Sequence, residues 1–69
     1  MNIQTVAQNL RTTIAGKEQM LAATQENYRL STMAEGMALT ATIEFLKINI
    51  AELQRILQDV EQCIEKETV

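Results

Sequence analysis

Apolar side chains recur down the second half of this 69-residue chain at alternating steps of four and three: Leu39, Ile43, Leu46, Ile50, Leu53, Leu57, Val60 and Ile64. Only an α-helix lines such positions on one stripe, and a period near 3.5 is the pattern of a coiled-coil seam. A helix carrying it over about residues 37–66 is roughly 45 Å long at ~1.5 Å per residue. The rest of so short a chain must pack on that rod, and copies of the rod on one another.

The first half repeats the pattern more weakly. Asn2 suits an N-cap, and Ile3, Ala7, Leu10, Ile14, Leu21 and Tyr28 follow, with Lys17 and Thr24 in the remaining slots. This predicts a helix over about 3–30. Thr12, Thr13 and Gly16 lower helix propensity, the glycine by about 1 kcal/mol, so this is the weak point of the helix, and whether it bends or breaks near Gly16 stays open. A turn is predicted over about 31–36. Ser31 and Thr32 both suit a cap there, and Thr32 to Glu35 has capping-box spacing. A short link folds two long helices antiparallel; the competing reading is one continuous helix.

The second helix has more apolar surface than one seam needs. Ala38, Phe45, Ile56 and Cys63 form a second line roughly 90° from the first, with Ile48 near its edge. Cys63 reads as a small buried hydrophobe on that line. The fold class expected is all-α: a two-helix antiparallel hairpin with a coiled-coil-like heptad seam, assembled as a homo-oligomeric helical bundle. The interface residues are those of both lines: Leu39, Ile43, Phe45, Leu46, Ile48, Ile50, Leu53, Ile56, Leu57, Val60, Cys63 and Ile64.

Size and composition point the same way. A chain this short usually needs disulfides, a metal or oligomerisation for stability. One cysteine excludes an internal disulfide, and the absence of histidine argues against a structural zinc site. Oligomerisation remains, as a closed assembly of roughly two to six chains. The charge is uneven. Residues 1–30 carry Arg11, Lys17 and Arg29 against Glu18 and Glu26, while the remainder carries seven acids against three bases. An acidic rod is a poor ligand for a phosphate backbone, which argues against nucleic acid as partner. No apolar run spans a membrane, and Gln4, Gln8 and Asn9 interrupt any signal-peptide pattern, so the expected location is cytoplasmic.

Without histidine there is no imidazole base, and no phosphate-loop motif is complete. No catalytic residue, metal ligand or cofactor site is expected, and the chain does not read as an enzyme. The polar cluster with most chemistry is Tyr28, Arg29, Ser31 and Thr32, with Lys17 further back. Arg29 or Lys17 on a phosphate, hydroxyl donors and a Tyr28 ring stacked on a base would suit a small anion. The plainer reading makes Tyr28 a seam residue and Arg29 a solvated charge. Met33 and Met37, near the turn, suit an adaptable contact surface.

The run ATIEFLKINIAELQRILQDVE, residues 41–61 within a likeness over roughly 38–64, resembles small helical accessory proteins of tailed bacteriophages. The resemblance implies expression in a bacterial host cytoplasm. It also implies the work of such proteins, which bind and disable a host component, including defence proteins and their nucleotide signals. The function expected is therefore a non-enzymatic oligomeric binding protein that inhibits or sequesters a host protein. The alternatives are a sponge for a cyclic nucleotide or similar anionic signal held between protomers, and a structural coiled-coil adaptor.

Overall fold

The computed structural model describes residues 2–68; Met1 and Val69 lie outside the described residues. Two helices, α1 (Ile3–Arg29) and α2 (Met33–Thr68), account for nearly all of it, and there is no strand among the described residues. The helices run antiparallel. The Tyr28 ring lies against Gly36 beside the turn, and Arg11 reaches Glu61 toward the far end.

The ends of the helices follow from their caps. Asn2 Oδ1 accepts the Thr5 N–H at 2.8 Å, a bond worth about 1 kcal/mol at a helix start. At the other end of α1, the Leu30 N–H reaches the Glu26 and Asn27 carbonyls. The Ser31 N–H and hydroxyl both donate to the Tyr28 carbonyl, at 3.1 and 2.7 Å. Carbonyls left over at the helix end are thereby satisfied locally. Thr32 Oγ1 then accepts the Glu35 N–H at 3.3 Å, and the Thr32 carbonyl takes the Gly36 N–H at 2.8 Å. Because Thr32 is the cap, α2 begins at Met33. The turn is Leu30–Thr32, shorter than the predicted 31–36, and Met33–Gly36 form the first turn of α2. Glu35 there sits favourably at the positive end of the helix dipole.

The question left open at Gly16 is answered by α1, which is continuous through it. A propensity loss of about 1 kcal/mol is small beside the burial of Ala7 and Ile14 on the same helix, each of which needs the helix phase kept. A Cβ at Gly16 would meet nothing within 4 Å. Gly16→Ala is therefore expected to recover that ~1 kcal/mol and raise Tm by about 4–8 °C, read by circular dichroism. An unchanged or lower Tm would mean that the methyl group meets something not present in one chain.

The core is a thin strip between the helices. Ala7 and Ile14 from α1, and Ile43, Leu46 and Ile50 from α2, are its buried members. Leu39, Leu53, Leu57, Val60 and Ile64 continue it half-buried along α2, as do Lys17 and Thr24 along α1. A single helix–helix contact covers one stripe per helix, so the second line of α2 stays outside. Phe45 is 65% exposed and Ile48 62%, with Ile56 beside them. Cys63 is exposed too, against the buried position expected from sequence, because nothing within one chain packs over that line.

The result is a rod of 54 × 16 × 15 Å with a radius of gyration of 15.9 Å, where a compact chain of this length has about 11 Å. It exposes 5274 Å², about 900 Å² more than a compact folded chain of its mass. No helix is long and apolar enough to cross a membrane among the described residues.

Candidate functional site

The turn end of the hairpin carries a groove of about 420 Å³ lined by Tyr28, Ser31, Thr32, Met33, Gly36, Met37 and Thr40. A smaller one of about 290 Å³ adjoins it, lined by Gln25, Tyr28, Thr40, Ile43, Glu44 and Lys47. Tyr28 and Thr40 belong to both, so one depression follows the helix–helix contact from the turn toward Lys47.

Gly36 makes room for the ring. A Cβ there would stand 3.2 Å from Tyr28 Cε2 and 3.3 Å from Ser31 Oγ, closer than carbon atoms settle at their optimum of about 3.5–4.0 Å. The missing side chain lets the Cε2–Cδ2 edge of the Tyr28 ring approach the start of α2.

Of the five residues proposed from sequence as ligand contacts, Tyr28, Ser31 and Thr32 come together here. Arg29 does not line the groove. It holds Glu26 through two bonds, Nη2 to Oε1 at 2.6 Å and Nε to Oε2 at 3.2 Å. The hydrogen bond from Arg29 holds the Glu26 carboxyl below its usual range against a small opposing effect of desolvation, and Arg29 is raised in turn. Lys17 lies on the strip between the helices, about 16 Å back along α1 from Tyr28 at ~1.5 Å per residue. The cation nearest this depression is Lys47, which sequence reading left on the polar face; its Nζ is 3.8 Å from Glu44 Oε1. Lys47 and Thr40 become groove residues only through the register of α2 against α1, which no spacing within one helix reveals.

The groove's hydroxyls are largely engaged. Ser31 donates to the Tyr28 carbonyl and Thr40 to the Gly36 carbonyl at 2.8 Å, while Thr32 Oγ1 accepts from the Glu35 N–H and keeps its own O–H to donate. What the groove offers outward is chiefly an aromatic ring and thioethers. Of its lining, Met33 is 88% exposed and Met37 75%; Leu30, in the turn, is 70% exposed. Such a tip suits apolar side chains of a partner better than an anion, because methionine adapts its shape at low cost and an anion needs free donors.

The interface residues named from sequence divide between the two lines. Leu39, Ile43, Leu46, Ile50, Leu53, Leu57, Val60 and Ile64 lie on the strip facing α1, and Phe45, Ile48, Ile56 and Cys63 on the open side. No protein-family model, curated protein or solved structure matches this chain.

Proposed function

We propose that this chain is a non-enzymatic, homo-oligomeric helical binding protein of the phage accessory type, which occupies and inhibits or sequesters a host protein in the bacterial cytoplasm. The observation that carries the reading is the apolar tip. Met33 and Met37 are among the most exposed large side chains of the molecule and line the Tyr28 groove, and Leu30 of the adjoining turn is exposed as well. Exposed apolar side chains gathered in one place mark a contact site.

The test is capture from bacterial lysate by wild type and by a Met33→Glu, Met37→Glu double variant. Both side chains are exposed in the hairpin, so the variant keeps its fold. One host protein retained by wild type and lost by the variant is the expected result. Equal retention by both would move the contact off the tip, and no specific retention would remove the reading.

A second reading, a sponge for a cyclic nucleotide or similar anion, is favoured by the convergence of Tyr28, Ser31 and Thr32 on one groove with Lys47 along it. It predicts stabilisation by nucleotide, about 2.7 kcal/mol at a hundredfold excess over Kd, abolished by Tyr28→Ala and Lys47→Ala. Flat melting curves across mono-, di- and cyclic nucleotides exclude it. A structural adaptor gives neither capture at the tip nor a nucleotide response.

A further inference from the structure

We infer that two copies of the chain pair through the outer line of α2, antiparallel, about a twofold axis at the Ile50–Ala51 peptide. The inference rests on the oligomeric part of the proposed function and supplies its geometry.

The first ground is where the line lies. Steps of about 100° per residue from the buried strip place Phe45, Ile48, Ile56 and Cys63 on the same broad side of the hairpin as Met20 of α1. The ion pairs Arg11–Glu61, Glu26–Arg29 and Glu44–Lys47 fall on the opposite side. One side of the hairpin thus carries the ion pairs, and the other carries the uncovered apolar line, interrupted by Glu52 and Asp59.

The second ground is area. The rod exposes 5274 Å², an excess of about 900 Å² over a compact chain of its mass. A standard interface buries about 800 Å² per partner. One partner seated on this side removes the excess.

The third ground selects the partner and its direction. Ala38 precedes Ile50 by as many residues as Cys63 follows Ala51, and the same holds for Phe45 and Ile56. An antiparallel second copy of α2 therefore sets Phe45 on the partner's Ile56 and Ala38 on the partner's Cys63. A twofold contact must be self-complementary in this way. The two acids on the line decide between directions. In a parallel pair Glu52 meets its own copy, as does Asp59, and like charges repel. In the antiparallel pair Glu52 lies opposite the partner's Asn49, and Asp59 opposite the partner's Thr42. Asn49 Oδ1 is buried with no hydrogen-bond partner within one chain, so the amide sits at the place where a second copy alters its surroundings.

The single native cysteine makes a direct test. Ala38→Cys, an exposed and small replacement, is treated with a thiol oxidant and run without reductant, beside wild type and a Gln58→Cys control on the charged side. The expected result is a shift of Ala38→Cys from the 7.8 kDa band to one of twice that mass. Wild type and Gln58→Cys should stay unlinked. In the antiparallel pair the two Cys63 residues are roughly 37 Å apart at ~1.5 Å per residue, far beyond the ~4.4–6.8 Å between Cα atoms that a disulfide spans. A rapid Cys63–Cys63 link in wild type would mean a parallel pair and overturn the inference, as would linking of Gln58→Cys as fast as Ala38→Cys. Sedimentation of wild type separates the two levels. A monomer removes the oligomeric reading as well, whereas an oligomer in which Ala38→Cys stays unlinked removes only this geometry.

Discussion

Leu46→Ala is expected to leave most of the chain unfolded at 25 °C. Leu46 is 3% exposed, the most buried of the large side chains in a strip with few buried members. Truncating a buried leucine costs about 2–5 kcal/mol, including the cavity left behind. A core of this size supplies about 3–5 kcal/mol in all. The loss thus matches the whole margin. Helical circular dichroism followed through a urea titration reads the result directly. A variant with wild-type ellipticity and an unchanged urea midpoint would show that the strip is not what holds the helices together. Gln58→Ala, at an exposed position, is the control and should stay within about 0.5 kcal/mol of wild type.

The second large effect concerns assembly. Phe45→Glu or Ile56→Glu is expected to split the oligomer, or to unfold it where assembly is what stabilises the hairpin. Gln58→Glu is expected to do neither. Within one chain Phe45 is 65% exposed and Ile56 45%, so a carboxylate, at Phe45 above all, disturbs little intramolecular packing. A large loss at Phe45 then comes from a surface that another copy covers. Large side chains left uncovered forgo about 1.5–3 kcal/mol each, and a carboxylate in their place adds a charge that burial would have to desolvate. Light scattering distinguishes the outcomes. A wild-type species stable at 7.8 kDa at micromolar concentration would sink the prediction. Helicity that rises with protein concentration would show that folding and assembly are linked by mass action.

The fold was legible where one helix suffices to read it. The stripe from Leu39 to Ile64 faces α1, and the caps expected at Asn2 and Thr32 are both made. The second line of α2 was legible as apolar, and its exposure follows from the same count of stripes against contacts. One local reading differs for a physical reason. The link is shorter than 31–36 because Thr32 already caps the next helix, so Gly36 lies inside α2. At Gly16 propensity alone leaves a bend or break open, and the burial on either side of it decides for a continuous helix.

The site was less legible. Tyr28, Ser31 and Thr32 are close in sequence and stay close in space. Lys17 and Arg29 were grouped with them by charge, a property that says nothing about direction on the helix. Thr40 and Lys47 were invisible for the converse reason: they reach Tyr28 only across the hairpin.

One feature of the backbone bears on how such a chain changes by descent. Among the described residues none has a positive φ, not even the glycines, and the sequence holds no proline. No position thus demands glycine for its backbone angles; Gly36 is held by the ring beside it and Gly16 by nothing within reach. What inheritance must keep is a rhythm of apolar and polar positions, a cap at each helix start and a few well-placed side chains. Two descendants can satisfy all of that with hardly a residue in common, so kinship among such hairpins is better sought in phase and register than in a fixed string of letters.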